Sequence, residues 1–120
     1  MPTVLIIDNN ASMVLLLEMM LSRAQYKVFS APNGKQGLEM ARSNQPGIVV
    51  VDEMLPVMPG REVCLQLKSD PDTRHIPVIL STASLVQDPL AHAHSAGADA
   101  VLRKPFRADD VLALLKRLLP

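Results

Sequence analysis

The chain has 120 residues, 48% hydrophobic and 20% charged, with 12 basic and 12 acidic side chains and a formal net charge of zero. That is one domain's length, with enough apolar surface to offset chain entropy and no basic excess to clothe nucleic acid. Aromatic residues are 2% (Tyr26, Phe29 and Phe106) and Cys64 is the single cysteine, which excludes a base-stacking platform, an internal disulfide and a multi-thiolate zinc site.

The first residues, Met-Pro-Thr-Val-Leu-Ile-Ile-Asp, carry no basic leader or cleavage site. Val4-Leu5-Ile6-Ile7 is a continuous apolar run, the pattern of a strand buried on both faces. Met13, Leu16, Leu17, Met20, Leu21 and Ala24 then repeat at the spacing of one helix face. The apolar stretch from Met13 to Leu17 stops at Glu18, short of the ~20 residues that span a bilayer. Val28-Phe29 is a weaker strand candidate, and Asn33-Gly34 opens a helix marked by Leu38, Met40 and Ala41 that closes at Ser43-Asn44. Gln45-Pro46-Gly47 breaks the chain before Ile48-Val49-Val50-Val51, the second strong strand. Val63, Cys64 and Leu67 outline a third helix, and Ile76-Pro77 leads into Val78-Ile79-Leu80. Asp88-Pro89 reads as an N-cap with proline at the first helical position, and Gly97 as the left-handed stop of that helix. Ala100-Val101-Leu102 and the stripe Leu112, Leu115, Leu118 and Leu119 complete the alternation. The prediction is one α/β domain over residues 1–120. It is a (βα)5 doubly wound parallel sheet with helices on both faces, cytoplasmic and without a membrane or nucleic-acid partner.

Ligands of such sheets bind beyond the carboxyl ends of the strands. Asp8-Asn9-Asn10, Asp52-Glu53, Ser81-Thr82-Ala83 and Lys104-Pro105-Phe106 follow four of the apolar runs. Each alone has a bland explanation as a cap, a turn or a solvated charge. Their convergence on one edge suits phosphoryl transfer to a carboxylate. Asp52 would attack phosphorus in line, with positioning and charge neutralisation supplying most of the rate. Asp8, Asp52 and a backbone carbonyl would offer oxygen ligands to Mg²⁺. Lys104 and the Thr82 hydroxyl would bind phosphoryl oxygens.

These residues resemble the response-regulator receiver domain of two-component signalling, of the CheY-like kind. The matching segments are Ile6-Ile7-Asp8, Val50-Val51-Asp52 with Leu55-Pro56 and Pro59-Gly60, Ser81-Thr82-Ala83, and Ala96-Gly97-Ala98-Asp99 before Lys104-Pro105-Phe106. The intervals also match, with Thr82 lying 30 residues after Asp52 and Lys104 lying 22 after Thr82. The resemblance implies the flavodoxin-like strand order 2-1-3-4-5 and Asp52 as phosphoacceptor. Thr82 becomes the switch hydroxyl, Ala83 and Lys104 join it around the phosphate, and the Lys104–Pro105 bond is cis. It further implies Mg²⁺ held by Asp8, Asp52 and the Met54 carbonyl, and a phosphodonor that is a histidine kinase or histidine phosphotransfer protein. A downstream protein target or a homodimer would read the result, with no output domain in this chain.

Two positions depart from the family pattern, and a third adds charge beside the acceptor. Asn9 stands where a second, metal-ligating acid is usual; its amide oxygen can still coordinate Mg²⁺ but brings no charge, so the expected site is weaker than in a typical receiver. Val101 stands where a Tyr or Phe ring normally swings, and valine is stiff at χ1. Glu53 reads as a solvated loop acid. If the first helix buries the stripe named above, its outer face presents Val14, Leu15 and Met19 beside the site, a docking patch for the kinase or phosphotransfer partner. The alternative to an active receiver is a pseudo-receiver, an interaction module independent of phosphorylation. A phosphatase with an aspartyl intermediate is disfavoured because position 54 is Met rather than a second acid, and a flavin domain because no phosphate loop follows the first strand. His75, His92, His94 and Cys64 carry no site, and the methionines read as packing.

Overall fold

Strands and helices alternate without exception: β1 (Thr3–Ile7), α1 (Ala11–Arg23), β2 (Lys27–Ala31), α2 (Gly34–Asn44), β3 (Ile48–Asp52), α3 (Gly60–Ser69), β4 (Val78–Ala83), α4 (Pro89–Ser95), β5 (Ala100–Lys104) and α5 (Ala108–Leu118). The structure is a computed structural model and describes residues 2–83 and 89–119. The cap expected at Asp88 lies outside the described residues. All neighbouring strands pair in parallel in the order β2-β1-β3-β4-β5, as expected.

The apolar runs form strands because helices cover both faces of the sheet. Side chains alternate across a strand, so each strand feeds two cores. Leu5, Ile7, Val49, Val51, Val78 and Leu80 pack towards α2, α3 and α4. Val4, Ile6, Ile48, Val50, Ile79 and Leu102 pack towards α1 and α5. β3 is buried along its whole length, whereas Val28, Phe29 and Ser30 of the edge strand β2 are only half-buried. That difference is why β2 gave the weaker sequence signal.

Local chemistry fixes the helix ends. Asn10 caps α1 by accepting the Met13 N–H (3.1 Å), and Asn33 caps α2 by accepting the Gln36 N–H (2.9 Å). α1 stops at a left-handed Gln25, with the Tyr26 N–H bonded to the Leu21 carbonyl and the Gln25 N–H to that of Ser22. Gly97, at φ +84°, ends α4 as expected.

The phase of α1 differs from the sequence stripe. Leu17 and Leu21 are its buried residues, with Met13, Val14 and Met20 half-buried beside them. Leu16, expected inside, is 46% exposed, and Ala24 is exposed at the cap. Val14, expected outside, packs against the core. A step of about 100° per residue puts Leu16 a quarter-turn off the line through Leu17 and Leu21. In α5, Val111 joins Leu115 as fully buried, while Leu112, Leu118 and Leu119 are half-buried.

This phase has a direct test in thermal or denaturant unfolding. Leu21→Ala is expected to cost about 2–5 kcal/mol as a core truncation. Leu16→Ala is expected to stay within about 0.5 kcal/mol of the parent, as a surface change.

Candidate functional site

Side-chain parity selects what meets at the carboxyl edge. Asp8 continues the alternation of Val4 and Ile6, Asp52 that of Ile48 and Val50, and Lys104 that of Ala100 and Leu102, so all three emerge on the α1/α5 side. They converge there. Lys104 Nζ lies 3.0 Å from Asp52 Oδ1 and 4.0 Å from Asp8 Oδ2. Both acids are buried, Asp8 at 5% and Asp52 at 6% exposure. Asp8 Oδ1 also accepts the Asn10 N–H at 2.9 Å, so the residue after Asn9 is tied to the acid before it.

Burial pushes the Asp8 carboxyl above its usual range. The Asn10 N–H pulls it back, the negative charge of Asp52 pushes it up again, and Lys104 lowers it. Two carboxylates face one ammonium in a place with little water. Such a set of hard oxygen donors carrying excess negative charge suits a hard divalent cation. Among the described residues no three His, Cys, Asp or Glu side chains gather as a metal cluster. Asn9, exposed beyond β1, brings oxygen without charge.

Thr82 has the other parity. It follows Val78 and Leu80 towards the α3/α4 side, as Glu53 follows Val49 and Val51. The two side chains meet, and the Thr82 hydroxyl donates to Glu53 Oε2, with the Ala83 carbonyl 3.3 Å from the Thr82 Oγ1. Glu53 is therefore half-buried and engaged, not the solvated loop acid its sequence position suggests. Its backbone is held on both sides. The Glu53 N–H extends the ladder to the Ser81 carbonyl (2.8 Å), and its carbonyl accepts the Gly60 N–H (3.0 Å). Gly60 permits this approach, because a Cβ there would sit 2.2 Å from the Asp52 carbonyl oxygen.

The remaining positions are distributed around this centre. Ala83 is exposed at the end of β4, and Met54 is 73% exposed just past Asp52. The Lys104–Pro105 bond is cis. Val101 pairs with Leu80 and is half-buried against the α2/α3/α4 core. Ser81, which the sequence places at this edge without a role of its own, pairs with Asp52 in register and keeps a buried hydroxyl with no hydrogen-bond partner among the described residues. The outward face of α1 is Leu15 (59%), Leu16 (46%) and Met19 (51% exposed). An open cleft of about 450 Å³ joins this helix to the site through Asp8, Asn9, Val14, Leu15 and Glu18. No helix among the described residues is long and apolar enough to cross a membrane.

Comparison with known proteins points one way. The family model for the response regulator receiver domain matches residues 4–116. Response regulator PleD of Caulobacter vibrioides is 40% identical over 109 residues, which are 91% of this chain and 24% of that protein. This chain thus spans about a quarter of the length of that relative. A putative response regulator from Chloroflexus aurantiacus superposes with a TM-score of 0.92 at 28% identity, covering 98% of each chain. The receiver domain of sensor histidine kinase PA1611 from Pseudomonas aeruginosa PAO1, solved with magnesium in its active-site cleft, gives a TM-score of 0.89 at 25% identity, covering 98% of this chain and 96% of that one.

The raised affinity of Asp8 for its proton sets the sign of a pH effect. A buried acid with a raised pKa favours folding most when protonated, and that advantage is lost as pH rises from the ordinary carboxylate range through the raised value. Asp8→Asn keeps an oxygen for the Asn10 N–H and removes the charge. In metal-free buffer its thermal midpoint is expected to match the parent at acidic pH. It should exceed the parent at neutral pH, where the buried charge of Asp8 opposes folding.

Proposed function

The chain belongs to the response regulator receiver domain family, and we propose that it is an active phosphoacceptor whose acceptor is Asp52. Receivers are signalling domains rather than conventional enzymes, so the reaction is a modification of the domain itself. The observation that carries the proposal is the Lys104 ammonium 3.0 Å from Asp52 Oδ1, with both groups fixed at the strand ends. A carboxylate is a competent nucleophile towards phosphorus when the charge of the incoming phosphoryl is neutralised.

An Asp52 oxygen attacks the phosphorus of a partner's phosphohistidine. The new O–P bond forms as the P–N bond breaks, and the departing imidazole keeps that electron pair. Lys104 follows the phosphoryl oxygens as an ion-pair partner. Asp8, Asp52 and the Met54 carbonyl would hold Mg²⁺, which when bound neutralises charge shared by the carboxylates and the phosphoryl group. Thr82 supplies the switch hydroxyl beside Ala83. The phosphodonor, a histidine kinase or histidine phosphotransfer protein, docks on the outer face of α1. The exposed Leu15, Leu16 and Met19 support that surface, and the cleft past Val14 leads from it towards Asp8.

Incubation with Mg²⁺ and acetyl phosphate, followed by intact-mass measurement, tests this directly. One phosphoryl adduct is expected on the parent and none on Asp52→Asn. Absence of any adduct on the parent would instead identify a phosphorylation-independent interaction module.

The missing acid at position 9 sets a second expectation. Asn9→Asp restores one negative charge to the cation site, so Mg²⁺ affinity measured by calorimetric titration should tighten by about tenfold. Equal affinities would place position 9 outside the metal's reach.

A further inference from the structure

We propose that Glu53 is a positioning residue for Thr82: it holds the switch hydroxyl on the α3/α4 side of the sheet, away from the Asp52 carboxylate, until phosphoryl transfer draws it across. The inference rests on the reading of Asp52 as phosphoacceptor and adds to it a residue with no role in that chemistry.

The geometry makes the arrangement specific. Asp52 and Thr82 lie on adjacent strands but have opposite parity, because Asp52 pairs with Ser81 in register. The Thr82 hydroxyl can therefore serve a phosphoryl on Asp52 only by turning from the side on which it now sits. On that side it donates to the Glu53 carboxylate, and a hydrogen bond to a charged acceptor is about twice as strong as a neutral one. The backbone that carries the Glu53 carboxylate is itself held in place. Its N–H is bonded to the Ser81 carbonyl and its carbonyl to the Gly60 N–H, so it is anchored on both sides. Thr82 is 1% exposed, which removes water as a ready competitor for the hydroxyl.

Two states follow, one with Thr82 bonded to Glu53 and one with Thr82 bonded to a phosphoryl oxygen. Their ratio sets how readily the modified domain reaches its second surface state. Glu53 weights the first. Its loss leaves the hydroxyl free to turn, and the net worth of one hydrogen bond corresponds to a change of about two- to tenfold in the transfer rate.

The negative charge of Glu53 offers a rival explanation, since it also repels an incoming phosphodonor. Two variants separate the effects. Glu53→Ala removes both charge and acceptor, whereas Glu53→Gln removes the charge and keeps an oxygen that accepts the hydroxyl proton. Phosphorylation rates with acetyl phosphate and Mg²⁺, read by intact mass, should rise about two- to tenfold in Glu53→Ala and by clearly less in Glu53→Gln, whose neutral oxygen holds the hydroxyl more weakly than the carboxylate does but still holds it. In the unphosphorylated, metal-free protein, three-bond couplings to the Thr82 methyl carbon should report one χ1 rotamer in the parent and in Glu53→Gln, and rotamer averaging in Glu53→Ala. Equal acceleration in both variants, or an unchanged rate in Glu53→Ala, overturns the proposal. So does a Thr82 rotamer indifferent to Glu53→Ala. A parent that takes no phosphoryl group at all counts against Asp52 as acceptor, while the methyl couplings still decide whether Glu53 holds Thr82.

Discussion

Two carboxylates and one ammonium share the buried end of the sheet, and this unequal charge is the condition to which the other features answer. Asp52 lies on the middle strand of the three, with Asp8 beyond adjacent β1 and Lys104 at the end of β5, one strand further away on the other side. Continuous apolar cores behind each of these residues prevent the strand ends from spreading apart. Neither acid can withdraw to water, so desolvation and mutual repulsion are both retained in the folded state. A site of this kind is a standing destabilisation tolerated because the core around it is extensive. The same excess of negative charge makes the site receptive to a cation.

The alternation of side chains along β3, β4 and β5 divides the edge into two functional sides. Asp8, Asp52, Ser81 and Lys104 stand over the α1/α5 core, and Glu53, Thr82 and Val101 over the α3/α4 core. Chemistry on the first side is linked to packing on the second only through residues able to change sides. Thr82 is the short polar side chain at that boundary. Its bond to Glu53 therefore matters more than its energy alone suggests, because it determines on which side of the sheet the hydroxyl starts.

Much of this was legible in the sequence, for reasons that also explain what was not. Central parallel strands are apolar on both faces, so Val4 to Ile7 and Ile48 to Val51 stand out as runs, and the acids that follow them fall at the edge where such sheets bind ligands. β2 was faint because an edge strand is half-covered. The phase of α1 was misread because Met13 to Leu17 is apolar at every position; no periodicity exists there to reveal which side faces the sheet, and only packing decides. The Glu53–Thr82 bond was hidden for another reason. It joins residues on different strands and depends on the register of β3 against β4, in which Asp52 faces Ser81 rather than Thr82. Gly60 stood in the sequence only as part of a matching segment, since its need for glycine comes from the approach of the Asp52 carbonyl and not from any local turn.

The composition that excluded stacking ligands also bears on how a change at Asp52 can spread. Val101 pairs with Leu80 and packs into the α2/α3/α4 core, and a valine fixed at χ1 has no ring to move into space vacated by Thr82. β5 is thus a poor conductor of the change. The connection that does exist runs the other way, from Thr82 through the Glu53 carboxylate to a backbone whose carbonyl holds the Gly60 N–H at the start of α3. Gly60 touches the Asp52 carbonyl so closely that no side chain fits between them. Asp52, Thr82 and the first turn of α3 are therefore mechanically joined, and the loop from Met54 to Pro59, bounded by this contact and carrying a fully exposed Val57 in a left-handed conformation, is where a displacement of Glu53 is first felt.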